Sequence, residues 1–158
     1  MNTPTLFDFP ETVKKLNWGE MATSLSFDEK EIIRWIMLLH NNGQSFHLDP
    51  TYSTGRFWKG LPQPKLKFDI RPQVEGVIPA RAEQLPLASE SINSIMFDPP
   101  FLMKGTDDRE LTGILEKRFS GYKTQKELFG FYKLALLEFW RILVRGGVLA
   151  FKCQVIRS

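Results

Sequence analysis

The tetrapeptide Asp98-Pro99-Pro100-Phe101 closes the apolar run Ile92-Asn93-Ser94-Ile95-Met96-Phe97 and has residue types suited to chemistry. Proline gives no N–H to a sheet ladder, so a strand must end there. Two prolines in a row hold a carboxylate and an aromatic ring rigidly at the strand's C-terminal end. The plain alternative is a strand terminator with a capping aspartate. A second carboxylate, Asp49, ends the run Phe46-His47-Leu48 and precedes the turn Pro50-Thr51-Tyr52-Ser53-Thr54-Gly55. Such a turn offers small residues and backbone N–H groups at a strand end. Asp69 follows Asp49 by twenty residues. At that spacing an acidic residue binds ribose hydroxyls in a βαβ nucleotide site, or else caps a turn; spacing alone leaves both open.

Other chemistries are poorly supplied. The single cysteine, Cys153, excludes an internal disulfide framework, and with only His40 and His47 beside it no Cys/His metal site is expected. Cys153 reads as an inert packed thiol in a strand, and His47 as a structural or edge histidine. Trp35 and Trp140 sit in apolar helical patterns and are expected in the core.

A chain of 158 residues is one domain by default, and 42% apolar residues with thirteen Phe and four Trp exclude a disordered chain. The start MNTPTLFDFPE has neither basic residues nor an apolar run, so no secretory signal is read and a reducing cytoplasm is expected. The apolar stretches Ile32–Leu39 and Leu134–Val144 are too short and too charged to span a bilayer. Residues 1–55 carry four basic and seven acidic groups, whereas residues 104–158 carry eleven and six. A basic C-terminal half suits a polyanionic partner, although an ordinary solvated surface reads as well on charge alone.

The elements that must position these residues are legible in outline. Residues 1–25 look irregular, with Leu6, Phe7, Phe9 and Trp18 available to pack on a neighbouring surface; residues 26–158 form a single domain. Ser26 with Glu29 makes a capping box, and Ile32, Ile33, Ile36 and Leu39 recur at helical spacing before Gly43, which predicts a helix at about 27–42. Short apolar runs bounded by turn formers predict strands at Ser45–Asp49, Lys65–Ile70, Val74–Pro79, Ser91–Asp98 and Gly147–Cys153. Thr124 with Glu127 opens a second helix, whose face carries Leu128, Tyr132, Ala135, Phe139 and Leu143 and whose end is Arg145-Gly146-Gly147. A helix leading straight into an apolar strand predicts a crossover between parallel strands. The long polar loop Leu102–Lys123 leaves the C-terminal end of a strand, where open α/β sheets bind ligands, and reads as a lid.

In this order and spacing the chain resembles the S-adenosylmethionine-dependent amino-methyltransferases, which modify exocyclic amino groups of nucleobases. Their signature is (D/N)-P-P-(Y/F/W) after the fourth strand of a Rossmann-like sheet, matched by Asp98, Pro99, Pro100 and Phe101. The stretch Phe46–Gly55 resembles the family's first motif, a strand followed by a D-P-F-x-G-x-G type loop. Lys67-Phe68-Asp69-Ile70 resembles the second. Ala82-Glu83-Gln84-Leu85-Pro86-Leu87 is similar to the stretch before the catalytic strand, and Phe139–Leu149 to the helix–GG–strand ending.

The resemblance implies an α/β fold with a Rossmann-like, mostly parallel class I methyltransferase sheet, and methyl transfer from S-adenosylmethionine, most readily to adenine N6 in DNA. Asp98 and the Pro99 carbonyl would accept the amine N–H bonds and Phe101 would stack on a flipped base. Asp49, Pro50, Thr51, Tyr52, Ser53, Gly55, Asp69, Ile70 and Glu83 would line the cofactor. Asp49 would face the methionine ammonium or cap its own turn. Lys104, Arg109, Lys117, Arg118 and Lys123 are the candidate phosphate contacts, and no metal or membrane is implied. Ser53 stands where the pattern has its first glycine, and near the third motif Arg81 and Ala82 replace the usual acidic residue, with Glu83 as a substitute. The family's last two strands lie beyond Ser158, which implies an exposed sheet edge covered by a second copy or a partner chain. A catalytically incomplete fragment or partner subunit, and an RNA amino-methyltransferase, are the competing readings.

Overall fold

The computed structural model describes residues 26–99 and 125–153. The expected irregular segment 1–25, the lid Leu102–Lys123 with its basic residues, Pro100, Phe101 and Thr124 lie outside the described residues.

The first helix, α1, spans Glu29–His40 and buries Ile33 and Met37. Its cap differs from the expected Ser26–Glu29 box. The N-cap is Asp28, whose side chain accepts the Lys30 N–H at 2.9 Å. Ser26 accepts the Asp28 N–H at 3.0 Å and donates to Glu31 at 2.5 Å. An aspartate directly before the helix sits at the N-cap itself, within reach of the free N–H groups, and a serine two residues further back does not. Glu29 is thereby released for an ion pair with Lys152. At the other end, the N–H groups of Asn41 and Gly43 both reach the Met37 carbonyl, and Gly43 takes φ 70. Trp35, expected in the core, is only partly buried.

Five strands form one sheet: β1 (Leu48–Asp49), β2 (Leu66–Asp69), β3 (Ile78–Pro79), β4 (Ile92–Phe97) and β5 (Leu143–Phe151), with helix α2 (Gln125–Ile142) between the last two. The order is β3-β2-β1-β4-β5, and its four neighbouring pairs are all parallel. The chain is thus α/β, as expected. Strand β1 sits where the order turns back, with β2 and β3 on one side and β4 and β5 on the other. In open sheets that reversal leaves a crevice at the C-terminal ends of the two central strands.

Side chains alternate along β4 and divide the interior into two layers. Ile95 and Phe97 join Ala135, Phe139 and Ile142 of α2, whereas Met96 joins Ile33 and Met37 of α1. The two helices therefore cover opposite faces. Phe97 lies 4.8 Å from Phe139 and 5.1 Å from Phe151, centroid to centroid, which is ordinary aromatic packing.

Helix α2 stops at Ile142, three residues before the expected Arg145-Gly146-Gly147 cap. Leu143 already pairs with Ile92, and an irregularity then brings Val148 opposite Ser94. Gly146, at φ 76, serves this bulge rather than a helix end. A Cβ on Gly147 would lie 3.1 Å from the Asn93 carbonyl and 2.9 Å from that of Val144, so the close approach of β4 and β5 requires glycine there. Strand β5 ends at Phe151, and Cys153 lies beyond it and is exposed, not packed in the strand. Trp140, also expected in the core, is 84% exposed and shares the outer side of α2 with Phe129, Leu134 and Leu137. The inner face is filled by Leu128, Ala135, Phe139 and Ile142, one stripe on a helix whose sequence is apolar nearly all round. Among the described residues no helix is long and apolar enough to cross a membrane.

Candidate functional site

The site is built at the C-terminal ends of β1, β2, β4 and β5. Strand β1 delivers Asp49, which is 3% exposed and wholly engaged. One oxygen accepts the Thr51 N–H at 2.8 Å and the Thr51 hydroxyl at 3.3 Å. The other accepts the Trp58 indole N–H at 2.6 Å. Of the two readings open for Asp49, the geometry favours the turn cap: the carboxylate braces its own loop. Trp58, in a short 3-10 turn at Arg56–Trp58, is fully buried, so the loop closes over the acid that holds it.

The same loop is stitched across the neighbouring strands. The Tyr52 N–H reaches the Phe68 carbonyl at 3.0 Å, and the Ser53 N–H reaches Asp69 at 2.8 Å. Ser53 takes φ 52, a left-handed conformation that a serine adopts only under local constraint; the Asp69 bond supplies it. The Asp98 N–H reaches the Thr51 hydroxyl at 3.3 Å, joining the two motif regions directly. Pro50 and Pro99 are buried at the two strand ends.

Asp69, at the end of β2, accepts the Ser53 N–H on one oxygen and the Arg71 N–H on the other at 2.7 Å. Each oxygen keeps a further lone pair for a hydroxyl donor. Ile70 beside it is 53% exposed and offers apolar surface for a ring. Gly55 is less open: Tyr52 folds over it, so that a Cβ there would lie 2.5 Å from the Tyr52 hydroxyl, which itself donates to Gln63 at 2.6 Å. Glu83 lies apart from these groups in its contacts, paired with Arg81 at 2.6 Å.

Asp98 keeps a quarter of its side chain accessible, whereas Asp49 is buried. Burial pushes the Asp98 carboxyl up; the Lys152 ammonium pulls it down, and Glu29 pushes it up again. Three groups around it were not singled out from the sequence. Lys152 follows β5, with its N–H on the Phe97 carbonyl at 2.9 Å and its ammonium 3.4 Å from Asp98. Glu29, from α1, pairs with the same ammonium. Tyr132 of α2 has its hydroxyl pushed up by burial, then by Cys153 and Asp98. A lysine near the end of the strand expected at Gly147–Cys153 was the available signal for Lys152. Nothing local points to Glu29 or Tyr132, which arrive by packing.

Burial pushes the Asp49 carboxyl up to about 7, against the Trp58 and Thr51 hydrogen bonds, and Asp98 adds to the rise. A folded value raised above 3.8 means that the folded state holds the proton more tightly, so stability falls as pH rises from about 4 to 7 and is flat above. The urea midpoint is expected to fall between pH 5 and pH 8 more steeply in the natural chain than in Asp49→Asn, whose amide cannot ionise. The difference is on the order of a few kcal/mol. Taking the difference removes the opposite contribution of His47, which burial and then Lys65 lower. Parallel pH profiles would overturn the buried-acid assignment.

Comparison of the chain with protein-family models, with curated proteins and with solved structures finds no match in any of the three.

Proposed function

We propose that residues 26–158 form a Rossmann-like methyltransferase domain that moves a methyl group from S-adenosylmethionine to an exocyclic amino group of a nucleobase, adenine N6 in DNA first. The observation that carries this reading is the junction of β1 and β4. Asp98-Pro99 and the Asp49 turn occupy adjacent strand ends at the reversal of strand order, tied by the Asp98 N–H to Thr51. The corner made by Asp69 and Ile70, which would receive the nucleoside of the cofactor, lies at the end of the next strand.

Asp69 would hold the ribose hydroxyls and Ile70 would meet the purine. The bound cofactor supplies a methyl group already activated on a sulfonium. An aromatic amine is a poor nucleophile because its lone pair is delocalised into the ring. Accepting its two N–H bonds at Asp98 and at the Pro99 carbonyl favours a more tetrahedral nitrogen and stabilises the positive charge that develops on it. Holding amine and methyl donor together contributes much of the remaining rate.

The covered Gly55 favours a second reading, a partner subunit or fragment that keeps the fold without binding cofactor. Calorimetric titration with S-adenosylmethionine separates the two, because Tyr52 must yield for a competent pocket. Micromolar binding, with labelled methyl incorporated into a DNA duplex in preference to RNA, is the expected result. No binding by a folded sample rejects the enzyme, and incorporation into RNA alone redirects it to the RNA class.

A further inference from the structure

Asp98 pushes up both the Asp49 carboxyl on β1 and the Tyr132 hydroxyl of α2, and is itself pushed up by burial and by Glu29 of α1. Among the described residues, Lys152 is the cation beside Asp98. Its backbone is fixed to Phe97, the residue before Asp98, by the 2.9 Å bond already described. Its ammonium lies 5.6 Å from the Phe57 ring centroid and makes its close contact with Glu29. Three separate elements therefore hold the charge in place. The 3.4 Å separation from Asp98 Oδ1 is longer than the 2.7–2.9 Å usual for a charge-assisted hydrogen bond. The ammonium thus acts on Asp98 through its charge and a longer hydrogen bond, while its short contact goes to Glu29.

We propose that Lys152, anchored by Glu29, is the positioning residue that keeps Asp98 an ionised acceptor with an oxygen open to the incoming amine. The assignment rests on the reading of Asp98 as the amine acceptor and adds the device that keeps it ready. A carboxyl at the ends of a buried parallel sheet, next to a second carboxyl, takes up a proton readily, and a protonated Asp98 loses an acceptor where charge develops. Lys152 opposes that protonation. Glu29 works against it in charge, by partly neutralising Lys152, and for it in geometry, by fixing where the ammonium sits. The two residues therefore have opposite effects on Asp98.

The test is a carbon-13 NMR titration of the Asp98 carboxyl in the full chain, from pH 4 to pH 9, with methyl transfer to DNA measured over the same range. In Lys152→Met the Asp98 midpoint is expected to rise by about 1 to 3 units, the range for loss of a neighbouring opposite charge. Lys152→Arg is expected to restore most of it, and Glu29→Gln to lower the midpoint below that of the natural chain. The acidic limb of the transfer rate should move with the midpoints. Should Lys152→Met fail to fold, the arginine and glutamine variants carry the same contrast. Midpoints that coincide in all variants overturn the proposal. Midpoints that move while no variant, including the natural chain, transfers methyl uphold the counter-charge and reject the methyltransferase reading instead.

Discussion

Replacing Asp98 by alanine is expected to lower methyl transfer by about 10²- to 10³-fold, the range found when one preorganised hydrogen-bonding group is removed from a transition state. The fold should survive. Burial pushes the Asp98 carboxyl up, so its ionised form is held in the folded chain at some cost, and Lys152 keeps Glu29 as a partner after the change. Thermal stability is accordingly expected to be unchanged or slightly higher in Asp98→Ala. Asp98→Asn keeps an acceptor oxygen at the same place and should lose less activity than the alanine variant. Radiolabelled methyl incorporation at saturating cofactor, with circular dichroism melts of each variant, makes the comparison. Transfer by Asp98→Ala at the natural rate would remove Asp98 from the reaction.

The largest effect on stability is expected at Phe139 of α2, with its neighbour Trp140 as the contrast. Phe139 is fully buried and packs at 4.8 Å on Phe97, at the centre of the layer between α2 and the sheet. Its truncation to alanine should cost about 3–5 kcal/mol, through lost transfer energy and the cavity left among rigid neighbours. A domain stable by about 5–15 kcal/mol would lose much of its margin. Trp140, one residue on, is 84% exposed, and its truncation should change stability by no more than about 0.5 kcal/mol. Urea midpoints at constant slope measure both. Equal losses in the two variants would mean that α2 is rotated from the placement described.

That pair also shows how far local pattern reaches. The 3.6-residue period is visible in α2, but Phe129, Leu134, Leu137 and Trp140 place apolar side chains on the outer side as well, so hydrophobicity alone does not say which stripe faces the sheet. Trp140 therefore fits the apolar pattern of α2 and yet faces outward. The two helix ends differ from their sequence patterns for a similar reason. Ser26–Glu29 fits the spacing of a capping box, but Asp28 is closer to the free N–H groups, and Glu29 has a better partner in Lys152. Arg145-Gly146-Gly147 has the composition of a helix end, but its glycines serve a bulge and a tight strand approach.

Read by itself, the sequence determined the succession of elements and the strand ends that carry Asp49, Asp69 and Asp98. These follow from short-range rules: apolar runs make strands, and proline pairs and turn formers end them. Only the tertiary structure decided what each carboxylate does with its oxygens. Asp49 was open to two roles until the fold brought Trp58 and Thr51 onto it; Asp69 acquired the Ser53 N–H, and Asp98 acquired Lys152 and Glu29. Of these partners Glu29 and Lys152 stand 123 positions apart in the chain. No local spacing rule connects residues so distant; β5 pairing in parallel beside β4, with α1 packed on one face, is what brings them together, because the charge on Asp98 is set by distance in space and by burial.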